Sequence, residues 1–398
     1  MSNQLVIVKH NEKVLSCLLE DRNLVQIHVS NKENSVACGN IYIGKVKNIV
    51  KNINAAFVEI EGGQMCYYSL EENKTPIFVN PKKNDKVVIG DELLVQIEKE
   101  GVKTKAPVIT SNLSFAGKYT VLSYGKTNLG VSNKITEDSK RKQLKDLLKE
   151  YKNEEYGLVI RTNGAEASEE ELRAEIELLK KRYESLREYG VHKSCFSLLY
   201  KSPAGYLCDI RDGYDTETEQ IITDDKEIYD EIKEYLTVYQ PKDLEKLTLY
   251  DDKMISLKCI YSIDTKLEKA LQERVWLKSG GYLVIQPTEA LVVIDVNTGK
   301  AIAGKKKAEE TFFKINKEAA IEIAKQIRLR NLSGIIIIDF IDVKSQEYKD
   351  ELMAILRSLL KKDPIRTVVV DMTPLNLVEV TRKKVRKPLH EEMAKEKF

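Results

Sequence analysis

Two apolar runs stand out along the chain, "LVVIDVNTGK" at 291–300 and "SGIIIIDFID" at 333–342. Each is dense in β-branched and aliphatic residues, and each breaks off at a carboxylate, Asp295 in one and Asp339 in the other. Near-continuous apolar runs of this length predict strands covered on both faces. From residue 271 onward they alternate with long helical stretches, "EETFFKINKEAAIEIAKQIRLRN" and "SQEYKDELMAILRSLLKKD", and a third run, "RTVVVDMT", follows. That order predicts a helix-covered, partly parallel sheet of α/β class.

The earlier chain reads differently. Residues 1–35 alternate apolar and polar positions and predict short antiparallel strands. From 36 to 118 the pattern continues through "GNIYIGKVKNIVKNINAAFVEI", "MCYYSL" and "GDELLVQIEKE", with Gly and Asn at the turns. About five short strands predict a small closed barrel of the oligonucleotide-binding (OB) kind. Alternation sends only some of Tyr42, Phe57, Tyr67 and Tyr68 outward; beside Lys45, Lys47 and Lys51 such rings make a stacking platform for single strands, and they serve equally as barrel core. Between 119 and 206, "EYGLVIRTNGAEAS" predicts a strand ending in a Gly turn. A long amphipathic helix follows, with Ser168 as N-cap and Glu171 completing a capping box. Residues 207–270 read as a strand at "YLCDI", a helix near 225–238 and a strand at "MISLKCIY".

Composition narrows the chemistry. With 398 residues the chain is long enough for several cores, and a net charge of +2 leaves any basic surface local. No run approaches the roughly 18 apolar residues of a membrane span, and no leader is evident, so a cytoplasmic protein without membrane contact is expected. Six scattered cysteines without a C-x-x-C pair read as small buried hydrophobes, and four histidines show no metal-ligand spacing. No phosphate-cradling glycine loop of either common type is present, which removes support for a nucleotide-driven motor or a dehydrogenase.

Asp295 and Asp339 are 44 residues apart, about one strand–helix–strand crossover. Both strand ends then reach the same sheet edge, where open α/β sheets bind ligands. Carboxylates brought together repel unless a cation lies between them, and oxygen ligands alone suit Mg²⁺. Asn297 lies on the same side of the extended strand as Asp295, and Asp342 and Asp371 are further oxygen donors. A single strand-end Asp is as readily a turn former or cap; three such strands together favour metal-assisted phosphodiester hydrolysis.

Over nearly its whole length the sequence resembles the ribonuclease E/G family of bacterial endoribonucleases. The carrying stretches are "SGGYLVIQPTEALVVIDVNTGK" (279–300), "NKEAAIEIAKQIRLRNLSGIIIIDFID" (316–342) and "VEVTRKKVRKPL" (378–389), with "GNIYIGKVKNIVKNINAAFVEI" and "VIRTNGAEA" upstream. The resemblance implies an RNase H-like structural part (1–35 and 207–270), whose Asp209 and Asp212 are not a second active site. It also implies an OB barrel inserted at 36–118, a 5′-sensor region at 119–206 and a DNase I-like catalytic domain at 271–398. It implies catalysis by Asp295, Asp339 and Asn297, with one Mg²⁺ held by Asp295 and Asp339 and with products bearing a 5′-phosphate and a 3′-hydroxyl. A 5′-monophosphate pocket would use Arg161, Thr162 and Arg366, and single-stranded RNA would meet Phe57, Tyr67 and Lys105, the last in "KAP" where relatives carry Lys-Gly-Pro. Roles in ribosomal RNA processing and messenger decay follow by the same resemblance.

One departure is the family's Cys-Pro-x-Cys zinc link, which has no counterpart after "TRKKVRK". No structural zinc and no zinc-linked dimer are therefore expected, while homo-oligomerisation stays open. The runs "GKKKAEE" (304–310) and "TRKKVRK" (381–387) can line an RNA channel or be plain solvated surface. The competing reading is a non-catalytic RNA-binding relative that keeps the barrel and the sensor; an enzyme acting on DNA is disfavoured.

Overall fold

The structure, a computed structural model, describes residues 3–31, 37–101, 105–213, 218–299 and 308–394. Its chain contacts divide it into two units. One contains Met1–Ser30, Tyr214–Glu234 and Asp243–Phe398; the other contains Asn31–Gly213 and Tyr235–Lys242.

The second unit holds the barrel. Strands Ile41–Val50, Ala55–Glu59, Met65–Ser69, Val108–Thr110 and Glu92–Lys99 pair in that order, and Glu92–Lys99 returns to Ile41–Val50 to close the ring. Closure leaves these five strands without a free edge. Gly44 sits where strand meets strand: a Cβ there would come within 2.6 Å of Val58 Cγ1. Beside the barrel lies a four-stranded sheet ordered Ser114–Ala116, Thr120–Tyr124, Tyr156–Ile160, Leu129–Val131. Helix Glu169–Tyr189 begins with the expected capping box: Ser168 Oγ accepts from the Glu171 amide at 3.2 Å and Glu171 Oε2 from the Ser168 amide at 2.9 Å. Its buried stripe, Leu172, Ile176, Leu179, Tyr183 and Leu186, packs against the core of that sheet.

The first unit holds two sheets. Five strands run in the order Leu247–Leu249, Gln220–Thr223, Asn3–His10, Lys13–Glu20, Asn23–Asn31. The six-stranded sheet runs Arg274–Trp276, Tyr282–Pro287, Leu291–Asn297, Gly334–Asp339, Leu377–Arg382, Thr367–Met372. Among the described residues only Leu291–Asn297 and Gly334–Asp339 pair in parallel in this sheet, joined through helix Ala308–Leu329 as a crossover. That helix and Gln346–Leu360 bury one sheet face through Phe313, Ile323, Leu352 and Leu356.

Three expectations change. The apolar runs are covered on one face, not two: Val292, Ile294 and Val296 point into the core, while Ile335 is 50 % exposed and Val368 and Val370 also face outward. The stretch "YLCDI" lies in a helix, Gly205–Asp212, that buries Tyr206, Leu207 and Ile210, a spacing that suits a helical turn as well as a strand. "MISLKCIY" holds a short helix, Leu257–Ile260, because the Ser256 hydroxyl caps it by accepting from the Cys259 amide.

Among the described residues no helix is long and apolar enough to cross a membrane.

Candidate functional site

Parallel pairing sets Asp295 and Asp339 directly opposite each other in register. Neighbouring strands lie about 4.8 Å apart, so the two carboxylates share one row of the sheet. Both occupy the solvent face, Asp295 alternating with the buried Ile294 and Val296 and Asp339 following the buried Ile338. Asn297 stands on the same face and donates from Nδ2 to Asp295 Oδ2 at 2.7 Å, fixing that carboxylate's orientation. Partial burial, then the charges of Asp295 and Asp342, raise the Asp339 carboxyl above its ordinary range.

The further acids are engaged otherwise. Asp342 accepts from Asn376 Nδ2 at 2.9 Å, and Lys349 Nζ donates to the Asn376 oxygen at 2.7 Å. Asp371 caps its own neighbour, accepting from the Met372 amide at 2.8 Å. Among the described residues no group of three or more His, Cys, Asp or Glu is arranged to hold a metal ion. Asp295 and Asp339, facing each other in register, could supply two carboxylate ligands. Such a sparse, all-oxygen set suits a hard cation that retains most of its water, and the repulsion from Asp295 that adds to burial in raising Asp339 is what such a cation would relieve.

In the other unit, Arg161 ends strand Tyr156–Ile160 and Thr162 opens the turn Thr162–Ala165. Glycine is needed in that turn, because a Cβ on Gly164 would meet Ile160 Cγ2 at 2.6 Å and the Tyr119 carbonyl at 3.0 Å. The Arg161 guanidinium is held at one end, NH1 donating to the Gly117 carbonyl at 2.7 Å and to Asp212 Oδ1 at 2.8 Å. Thr162 Oγ1 lies 3.0 Å from Ser132 Oγ. Burial alone would raise the Asp212 carboxyl; the guanidiniums of Arg211 and Arg161 override it and hold the group below its ordinary range. Glu175 braces the same loop, its carboxylate accepting from the amides of Lys118, Tyr119 and Thr120 and from the Thr120 hydroxyl. Arg366 belongs to the six-stranded sheet; it is exposed and precedes strand Thr367–Met372 at the edge opposite Asp339.

On the barrel, alternation sorts the rings. Tyr42 and Tyr68 are buried, whereas Phe57 and Tyr67 stand partly exposed, paired in register, their centroids 6.3 Å apart and edge to face. Lys105 is exposed in the loop whose Pro107 carbonyl accepts from the Tyr67 amide at 2.8 Å. Lys45 and Lys47 pair with Glu92 and Glu59, while Lys51 is exposed.

"TRKKVRK" is not uniformly open to RNA. Arg382 is 3 % exposed and grips Asp363 and the Asn331 side chain, and Arg386 reaches His28 Nδ1 at 2.8 Å. Alternation along strand Leu377–Arg382 turns Arg382 inward, which a count of charges misses. Of "GKKKAEE", residues 304–307 lie outside the described residues. Sequence reasoning set Asp212 aside as structural without finding its partner Arg161, and it passed over Glu175, whose signal is tertiary, and over Arg274, Trp276 and Tyr282. Arg274 and Trp276 could have been found as an i, i+2 pair on one strand face. In the fold, the Arg274 guanidinium lies 4.5 Å from the Tyr282 ring centroid and 5.7 Å from that of Trp276.

With this geometry in place, comparison with known proteins is informative. The Ribonuclease E/G family matches residues 114–385. Ribonuclease G of Haemophilus influenzae is 35 % identical over 382 residues, 94 % of this chain and 77 % of that protein. Ribonuclease G of Escherichia coli is 32 % identical over 385 residues, covering 94 % and 78 %. Ribonuclease E of a Nostoc species is 30 % identical over 398 residues, 98 % of this chain and 57 % of that protein. The chain belongs to the ribonuclease E/G family and is an enzyme of that type.

Proposed function

We propose that this protein is an endoribonuclease that cuts single-stranded RNA by Mg²⁺-assisted hydrolysis, leaving a 5′-phosphate and a 3′-hydroxyl. The observation that carries the reading is the register match of Asp295 with Asp339 on an open sheet face, with Asn297 bonded to the first. Asp295 and Asp339 would hold the metal, and Asn297, by donating to Asp295 Oδ2, would steady that carboxylate. When bound, Mg²⁺ supplies charge neutralisation at the scissile phosphate and acidifies a water for attack.

The remaining roles are part of the same proposal. Arg161 and Thr162 offer a guanidinium and a hydroxyl to a terminal phosphate dianion, and Arg366 is assigned to that recognition by family resemblance. Phe57 and Tyr67 would stack unpaired bases, with Lys105 countering backbone charge. Support comes from their partial exposure, which the buried Tyr42 and Tyr68 lack. A part in processing and turnover of cellular RNA follows.

The test is cleavage of a single-stranded RNA oligomer with Mg²⁺, bearing either a 5′-monophosphate or a 5′-hydroxyl, by the wild type and by Asp339→Asn. Faster cutting of the phosphorylated end by the wild type, with the variant inactive but still binding RNA, supports the proposal. RNA binding without cutting by the wild type would sink it in favour of a non-catalytic RNA-binding relative.

A further inference from the structure

The solvent face that carries Asp295 and Asn297 continues without a break onto the next two strands. Tyr282 is the register partner of Asn297, and Trp276 is the register partner of Tyr282. One row over, Arg274 pairs with Val284, which pairs with Asp295, which pairs with Asp339. At about 4.8 Å per strand, Tyr282 stands one strand from Asn297, and Arg274 stands about 10 Å from Asp295 in the same row.

Trp276 is 65 % exposed, the most solvent-open large aromatic among the described residues. Its ring lies 5.2 Å from that of Tyr282, tilted, and Arg274 spans both. Neither ring is spent on the core: Leu283, between Tyr282 and Val284, is the residue that points inward. Among the described residues Arg274 has no carboxylate partner within ion-pair distance, although Glu273 is its chain neighbour. One exposed and one partly exposed ring, with a guanidinium that lies against both and has no carboxylate partner among the described residues, form a platform with a cationic rim beside the carboxylate pair. Stacking rings plus backbone-seeking cations are the combination that takes unpaired nucleotides.

We propose that Arg274, Trp276 and Tyr282 form a base-stacking subsite for a nucleotide flanking the scissile phosphate. The base lies on Trp276 and Tyr282, and Arg274 meets the backbone phosphate beside it. This rests on the RNA-cutting function proposed above and extends it by naming what holds the strand next to the metal-binding pair. Every base has a π-face, so the subsite favours single strands over duplex and is tolerant of sequence.

Trp276 is the chain's only tryptophan, so its emission reports on this site alone. The experiment uses the full chain in EDTA. Anisotropy of a 3′-labelled single-stranded RNA decamer measures binding, and tryptophan emission is followed with the unlabelled decamer. Emission should be quenched in step with binding, and a duplex of the same sequence should leave it unchanged. Trp276→Ala and Tyr282→Ala should each weaken binding about tenfold, with Trp276→Phe restoring it. Phe57→Ala should weaken binding while leaving the quench at saturation intact. Saturated anisotropy with unmoved emission would overturn the subsite and leave the RNA-cutting reading standing. Emission that shifts with protein concentration before RNA is added would overturn it in favour of a second copy covering the face. No anisotropy change at all would bring down the RNA reading and the subsite together.

Discussion

Arg161 and Asp212, 51 residues apart in sequence, are joined by a 2.8 Å contact in which one guanidinium nitrogen is also given to the Gly117 carbonyl. The contact engages one guanidinium nitrogen, and in the proposed 5′-phosphate recognition the other donors would meet the ligand. Asp212→Asn should therefore loosen Arg161 rather than remove it. The expected outcome is loss of most of the preference for a 5′-monophosphate over a 5′-hydroxyl, about tenfold if one charge-assisted bond is at stake, with 5′-hydroxyl RNA cut as before. Because the Asp212 carboxyl is depressed, its contribution to stability is present above the ordinary carboxylate pKa. It is lost as pH falls through the depressed value, and Asp212→Asn should flatten that acid limb in a thermal melt.

Asp339 has the opposite sign. Its raised carboxyl means that the folded state binds this proton more tightly than the unfolded chain. Without metal, stability should fall as pH rises from the ordinary carboxylate value through the raised one. Mg²⁺ at a hundred times its dissociation constant should then add about 2.7 kcal/mol at neutral pH. Asp339→Asn should abolish both the pH dependence and the Mg²⁺ effect, as read by melting with and without EDTA.

Asn297 touches Asp295 rather than standing in register with Asp339. Asn297→Ala should lower cleavage about 10- to 100-fold, the usual cost of losing a group that orients a metal ligand. Added Mg²⁺ should recover part of the loss. No recovery at any Mg²⁺ concentration would mean that Asn297 contacts the substrate instead.

The barrel rings divide into two kinds. Phe57→Ala or Tyr67→Ala should cost about 1–3 kcal/mol of RNA affinity with little change in melting. Tyr68→Ala, which empties a buried site and leaves Ser111 Oγ with only its 3.2 Å bond to the Leu94 carbonyl, should cost about 3–5 kcal/mol of stability. Denaturant unfolding beside anisotropy separates the two.

Arg382 and Asp363 form a nearly dry ion pair, with side chains 2 % and 5 % exposed. Asp363→Ala should destabilise by about 3–5 kcal/mol, because it leaves a buried guanidinium without its carboxylate. Lys384→Ala, on the same basic run, should leave the melt unchanged.

How far the sequence carried depended on whether the deciding contact was local. The Ser168–Glu171 capping box spans three residues and was legible outright. Alternation told only that some of the barrel rings face outward; that Phe57 and Tyr67 are the outward pair came from the family resemblance, and their partial exposure agrees. The pairing of Asp295 with Asp339 could be anticipated from crossover length, since few topologies allow it. Apolar density, by contrast, did not reveal that only one face of that sheet is covered, for Ile335 looks the same in sequence as Ile336. Nor does "YLCDI" announce a helix: five residues hold too little periodicity to decide. The partners of Arg161 and Arg382 lie many positions away, and a basic residue's spelling says nothing about which carboxylate it will find.

The crossover that joins the aspartate strands has a temporal consequence. Asp295 and Asp339 become neighbours only once helix Ala308–Leu329 has folded back and Gly334–Asp339 has docked in parallel. Such non-local pairing forms late, after loop closure has been met. In chain order the five barrel strands, which end at Thr110, precede both aspartate strands. An activity that rests on this carboxylate pair, as proposed, would have to await the pairing of these two strands.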